Sequence, residues 1–518
     1  MTEAEEFLQI AADFQLGTLE TESQHPLTLH LSEHAQNDLP QAIRDLREVD
    51  LLALRRLEDK AAGLTPLAQA IAATFAAGKR VYLSGCGATG RLALSIEIFC
   101  RQGVLPWPRE DSVRAFMAGG DLALIKAIEK FEDHPEYGAR QLEELGFENG
   151  DLLISATEGG ETPFVIGATE RAAEISQNAP WFLYCNPDAP LAAAAVRSRR
   201  VLADTRIRKL NLAVGPMALS GSTRMQASTV LEAAIGFALM HAAAPEKAPA
   251  EVTRLREFVQ AHDGQFLAPF IEKEAALYQS GGHIMVRSDR FGITVVTDTT
   301  ERAPTFSLAP FEKQDEPDAP LSWCHFYLPH QANALDAWHA LLGRAPRTLE
   351  WPEARHLAGA AVLRCYDLSA QVLEKRQNRL HGQKLGQFVI DAENDAIVWK
   401  FENLLHHEKI AAPAFHRHLM LKMWLNSHST LVMGRAGRYL DNLMTYVKPS
   451  NNKLIDRAVR YVRQLAERRT GTAPDYATVV QALFKERAQM QVGKERAQMQ
   501  VGDAIVLRTL AAVCPQAL

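Results

Sequence analysis

An excess of charge of one sign is the first thing this chain lacks. Its 56 lysines and arginines stand against 62 aspartates and glutamates, a net charge of -6, which supplies no basic field for nucleic acid or an anionic membrane. Cysteine is scarce as well. The six, Cys86, Cys100, Cys185, Cys324, Cys365 and Cys514, stand far apart, without the paired spacing of a zinc site or the density of a disulfide scaffold, and they suit a reducing compartment. No run of about 18 apolar residues occurs, so nothing reads as membrane-spanning. The first residues, Met-Thr-Glu-Ala-Glu-Glu, are acidic and lack the basic-then-apolar order of a signal peptide. The expected location is cytoplasmic.

What is present is ordinary for a globular chain: 47% hydrophobic and 23% charged residues over 518 positions. At roughly 150 residues per domain, that length predicts two to four domains. Helical apolar spacing fills residues 51–77, and Val81-Tyr-Leu-Ser84 follows as a short buried strand. The alternation continues with strands at 151–155, 181–185 and 210–214 and helices at 163–175 and 223–240. Such alternation predicts an α/β fold with a parallel sheet, whose ligands bind beyond the carboxyl ends of the strands. A polar stretch at 242–251 breaks the pattern. A second alternating unit runs from the strand 282–286 through the strand 323–328, the helix 333–342 and a helical stretch at 355–374, and from about residue 419 the chain reads as helices, including 454–467. The nine residues Lys485-Glu-Arg-Ala-Gln-Met-Gln-Val-Gly493 repeat identically at 494–502, which marks a local duplication and not a repeat architecture.

Three strand-to-helix turns carry the chemistry. In Ser84-Gly-Cys-Gly-Ala-Thr-Gly-Arg91, Gly85, Gly87 and Gly90 permit close backbone approach, and the next helix offers free amides and the positive end of its dipole. Ser84 and Thr89 add hydroxyls. Strand-Gly-x-Gly-x-x-Gly-helix also suits a dinucleotide, but no acidic residue ends the next strand to take a ribose, and Thr89-Gly90-Arg91 favours a phosphate monoester. The second turn, Ser155-Ala-Thr-Glu-Gly-Gly-Glu-Thr-Pro163, is rich in hydroxyls and sets Pro163 in the first helical turn. The third, Gly215-Pro-Met-Ala-Leu-Ser-Gly-Ser-Thr-Arg-Met225, holds more polar groups than a helix cap needs. His406, His407, His416 and His418 are the only cluster suggestive of a metal, and their spacing fits no ligand set. No metal and no cofactor are predicted.

These turns resemble the sugar isomerase (SIS) domain of the N-acetylmuramic acid 6-phosphate etherases and of the related glucokinase regulatory protein. The matching residues are 84–91, Thr162-Pro-Phe-Val-Ile166, and Gly215-Pro216 with Ser220-Gly-Ser-Thr-Arg-Met225. Asn426-Ser-His-Ser-Thr430, Gly434, Asn442-Leu-Met444 and Pro449-Ser-Asn-Asn-Lys-Leu454 are similar to the etherase segment that follows the Ser-Thr-Arg-Met motif. Roughly 200 residues intervene here, as in the regulatory protein, where a second SIS domain is inserted. The resemblance implies two SIS-type three-layer parallel-sheet domains packed as a pseudo-dimer, with a helical segment at 1–50, domains at 51–245 and 252–425, and a helical cap at 426–518.

The resemblance also implies site residues. Phosphate and sugar would be held by Ser84, Gly87, Thr89, Gly90, Thr157, Gly159, Ser222, Thr223, Arg224 and Lys453. An etherase glutamate in a Glu-x-x-Pro-Thr-Phe context matches Glu301 in Asp298-Thr-Thr-Glu-Arg-Ala-Pro-Thr-Phe306; Glu97 of the first unit lies two positions off, on another helix face. The second unit, whose strand is followed by Arg287-Ser-Asp-Arg290, has lost its own glycine loop and would lend Glu301 to the first. The other family glutamate maps onto Glu132. The implied activity is a cofactor-free lyase that cleaves the lactyl ether of N-acetylmuramic acid 6-phosphate or a similar sugar phosphate. The alternative is a non-catalytic phosphosugar sensor with a sugar kinase as partner. Ala88-Thr89 for a Thr-Ser pair, Gly159 for a serine, Met217 for a glutamate and Gln226 for a lysine depart from the etherase pattern. A homodimer is neither required nor excluded.

Overall fold

In a computed structural model, which describes residues 1–14, 16–128, 131–449, 451–492 and 504–517, the first sheet holds five parallel strands: β1 (Val81–Gly85), β2 (Val113–Met117), β3 (Leu152–Thr157), β4 (Trp181–Tyr184) and β5 (Arg208–Asn211), in the order β2-β1-β3-β4-β5. Alternation along β1 explains its two cores. Val81 and Leu83 enter the main core, and Tyr82 enters a second one with Leu153, Phe182 and Phe164. A strand buried on both faces must read as a continuous apolar run, and this one does. The third turn is longer than the sequence predicts: β5 ends at Asn211, and the next helix begins at Gln226.

The second sheet departs from the expected parallel architecture. β6 (His283–Arg287) pairs in parallel with β7 (Cys324–Tyr327) and β8 (Leu385–Glu393), but β9 (Ala396–Phe401) and β10 (Leu404–Lys409) run antiparallel beside β8. The sheet is mixed because residues 385–409 fold as tight hairpins, with Asn394 and Glu402 at positive φ in the turns. His406 and His407 therefore lie on an edge strand, whereas His416 and His418 lie on the Ala414–Arg435 helix, His416 facing Glu251 at 3.1 Å and His418 hydrogen-bonded with Thr294 at 2.8 Å. The four histidines do not converge. Among the described residues no helix is long and apolar enough to cross a membrane.

The two sheets share one main core, containing both Leu83 and Ile284. Three helices bring them together: Ala88–Arg101 after β1, Gly292–Phe306 after β6, and Ala414–Arg435, which is buried almost along its whole length. Position 425/426, the expected start of the cap, falls inside that last helix. Glu97 also joins the halves. It accepts from Arg344 and Arg347 of the second half, and its own Arg101 bonds it from one turn further along the helix. Burial opposes its charge, but Arg344 and Arg347 outweigh burial and hold its carboxyl at about 2. Glu97 is an anchor between halves, well away from the loop after β1. The chain's two ends meet as well: Arg457 and Arg460 of the Asn452–Thr470 helix grip Glu22. The second copy of the nine-residue duplication lies outside the described residues.

Candidate functional site

The loop after β1 is built so that only glycine fits at two of its positions. A Cβ on Gly85 would sit 2.3 Å from the Thr89 carbonyl carbon, and one on Gly90 would sit 2.6 Å from Met117 Cβ. Gly87 caps the helix at φ 56°, a conformation that a β-carbon disfavours. The two hydroxyls expected to grip phosphate have other partners. Ser84 lies 2.9 Å from Ser155, which Thr169 approaches at 2.8 Å, forming a buried chain beneath the loop. The Thr89 hydroxyl donates to the Cys86 carbonyl at 2.8 Å and accepts from the Cys86 amide at 3.0 Å, bracing the turn from within. An anion here would meet the backbone amides of the first helical turn.

The second turn supplies Thr157, whose hydroxyl lies 3.1 Å from that of Thr162 and accepts from the Gly160 amide at 3.2 Å. The Gly159 carbonyl accepts from Asn186, which also holds the N-terminal Thr21. In the third turn the Ser222 hydroxyl is buried with no hydrogen-bond partner among the described residues, and Thr223 is half-buried. Arg224 is not part of this group. Its guanidinium faces Asp298 at 2.9 Å, Ser429 at 3.2 Å and Thr430 at 3.0 Å, so it ties the first half to the second, beside the cavity that Ala88 of the loop and Glu301 also line.

Both expected glutamates reach the loop, from opposite directions. Glu301, on the Gly292–Phe306 helix of the second half, sits 2.7 Å from Arg91, the last residue of the loop motif. Glu132, on the one-turn helix Phe131–Asp133, accepts from Asn451 at 2.9 Å and lies 3.8 Å from the Cys86 sulfur. Burial pushes Glu132 up, helped by Glu161 and opposed by Lys453. Lys453 itself contacts Glu161 at 2.5 Å. Burial works against its ammonium, but Glu161 and Glu22 outweigh it and hold Lys453 up at about 12.

Two carboxyls of the second turn, Glu158 and Glu161, complete the surroundings; in the sequence that turn stands out for its hydroxyls, not for its acids. Asn451 was passed over, although it belongs to the quoted 449–454 motif. Glu161 is held down: burial raises it, but Lys453 and Arg197 overcome burial. Glu158 is pushed up to about 8, by burial first and then by Glu301, against its own backbone amide and Lys453.

The corresponding place in the second half is closed. After β6, the amides of Asp289 and Arg290 donate to the Asp391 carboxylate, each at 2.9 Å, which puts a protein carboxylate where an anion would bind. Phe291, Phe99 and His418 pack together nearby, with ring centroids 4.4 Å apart for the tilted pair Phe99 and His418 and 4.9 Å apart for the edge-on pair Phe291 and His418. A small cavity is lined by Ala88 of the loop together with Glu301, Asp298, Arg224, Lys422 and Glu232.

Residues 64–173 match the family model of the glucokinase regulatory protein N-terminal SIS domain. That match takes in β1, β2 and β3 and the loops after β1 and β3. The chain is also similar to curated N-acetylmuramic acid 6-phosphate etherases. That of Aliivibrio fischeri strain MJ11 is 32% identical over 208 residues, 38% of this chain and 65% of the relative, and that of Klebsiella aerogenes is 35% identical over 197 residues, 36% of this chain and 61% of the relative. The chain thus spans less than two thirds of the length of these relatives. Among solved structures, tagatose-6-phosphate ketose/aldose isomerase from Escherichia coli aligns over 78% of this chain and 97% of its own, at 12% identity and a TM-score of 0.42.

Proposed function

We propose that this chain is a cofactor-free lyase that cleaves the lactyl ether of N-acetylmuramic acid 6-phosphate or a closely similar sugar 6-phosphate, at one composite site per chain. The observation that carries the reading is the pairing of Glu301, from the second half, with Arg91 in the phosphate loop of the first. The printed names of the etherase relatives support it.

In this reading each group has a role. The phosphate rests on the amides of 87–90, with Thr157, Gly159, Ser222, Thr223 and Lys453 around it. Glu301, whose carboxylate is paired with a guanidinium, serves as the base and takes the proton from C2 of the open-chain aldehyde. Glu132, pushed up by burial and therefore readier to carry a proton, serves as the acid and protonates the lactyl oxygen as the C3–O bond breaks. The pair of electrons released from C2–H becomes the C2–C3 double bond. Water then adds at C3: Glu132 takes back a proton from water, and Glu301, its proton having exchanged with solvent, delivers a proton to C2. The second half keeps Glu301 but no open anion loop, which accounts for a single site.

The test is incubation with N-acetylmuramic acid 6-phosphate followed by assay of D-lactate. Release of lactate is the expected result. A rise in melting temperature with no lactate would instead identify a phosphosugar-sensing regulator, whose partner would be a sugar kinase.

A further inference from the structure

The reaction proposed above passes charge onto the C1 oxygen when Glu301 removes the C2 proton, and that oxygen needs a donor. Arg91 and Lys453 each face a carboxylate, Glu301 and Glu161, although Arg91 Nη2 has no hydrogen-bond partner among the described residues. Glu158 is not committed. It is 7% exposed, its Oε1 has no hydrogen-bond partner among the described residues, and it stands within electrostatic reach of Glu301, Glu161, Lys453 and Cys86. A buried carboxyl with an unmatched oxygen costs stability wherever it occurs. Its place, in the strand-to-helix turn beside Thr157 and Gly159, is where a ligand would satisfy it.

We propose that Glu158, as a neutral carboxylic acid, donates a hydrogen bond to the C1 oxygen of the open-chain sugar and stabilises the enolate that forms when Glu301 takes the C2 proton. The inference rests on the lyase reading. Glu158 keeps its proton throughout: the C2 proton passes to Glu301, the electron pair moves onto the C1 oxygen and returns to form the C2–C3 double bond, and the lactyl oxygen leaves with the proton of Glu132. Its environment holds Glu158 protonated to about pH 8, so a donor is available at neutral pH. An acid kept neutral by burial can serve as such a donor without a metal.

The experiment compares wild type, Glu158→Gln and Glu158→Leu, with kcat and KM for lactate release from N-acetylmuramic acid 6-phosphate measured between pH 6 and 10. Removing a donor of this kind lowers kcat about 10² to 10³-fold, so the leucine variant is expected to lose that much with KM little changed. Glutamine keeps an N–H donor and retains intermediate activity. Wild-type kcat falls above about pH 8 as Glu158 ionises, and the glutamine variant lacks that fall.

A readout independent of turnover comes from stability. The unfolded chain ionises Glu158 near 4.5 and the folded chain near 8, so wild type loses stability as pH rises through that window, and Glu158→Gln does not. Its melting temperature relative to wild type therefore climbs from pH 5 to pH 8. A leucine variant as active as wild type, or a glutamine variant that keeps the alkaline fall, overturns the role of Glu158 and leaves the lyase standing. A wild type that releases no lactate overturns both.

Discussion

Glu301→Gln is expected to lower kcat for lactate release by about 10² to 10⁴-fold, the range for loss of a positioned proton acceptor, while inorganic phosphate still raises the melting temperature of the variant. The argument is one of place. Glu301 belongs to the second half and meets the loop through Arg91, at 2.7 Å; the brace between Thr89 and Cys86 does not involve it. Phosphate binding and proton abstraction should therefore separate, with KM moving little and kcat collapsing. Loss of both together would mean that Glu301 acts by holding Arg91, and the base would have to be sought elsewhere. Activity within about threefold of wild type would remove it from the chemistry altogether.

The second large effect concerns how the halves are held in register. Asp298→Ala is expected to destabilise the protein by about 3 to 5 kcal/mol, the usual consequence of removing one member of a buried charge network. Asp298 is 3% exposed and accepts from Arg224 at 2.9 Å, Arg302 at 3.2 Å, Asn426 at 3.1 Å and Ser429 at 2.9 Å. Burial pushes its carboxyl up, but Arg302 and Arg224 overcome this and hold it down. Alanine would leave the buried Arg224 guanidinium without its carboxylate and Arg302 with Glu274 alone. Asp298→Asn, which keeps an acceptor oxygen but no charge, should lose less. The midpoint of urea unfolding measures both, and a shift for the alanine variant no larger than for a surface substitution would contradict the network's role.

The loop after β1 was legible because its signal is local: a fully buried apolar run gives the strand, and glycines at fixed offsets give a turn with no room for side chains. The mixed second sheet was less so. Phe388 and Ile390 alternate with partly exposed residues along β8, and the turns at Asn394 and Glu402 join short strands, but the stretch lacks the long apolar runs that marked the first sheet. Arg224 misled for another reason. An arginine at a helix start suggests an anion, and its actual partner, Asp298, is 74 residues away, a distance that no local pattern spans. Glu301 was placed by its motif context, although its partner Arg91 lies in the other half. Glu158 and Glu161 stood in the quoted turn all along; what made them meaningful was the burial of the first and the approach of Lys453 to the second, neither of which periodicity or spacing encodes.

Turnover of N-acetylmuramic acid 6-phosphate in ¹⁸O-labelled water and D₂O tests the central claim most directly, because elimination and re-addition at one composite site leave a defined isotopic record. The account predicts that the sugar product carries solvent oxygen at C3 and solvent deuterium at C2, that the lactate carries no solvent oxygen, and that Glu301→Gln forms neither product at a comparable rate. Labelled lactate, or cleavage with C2 still unexchanged, would contradict it.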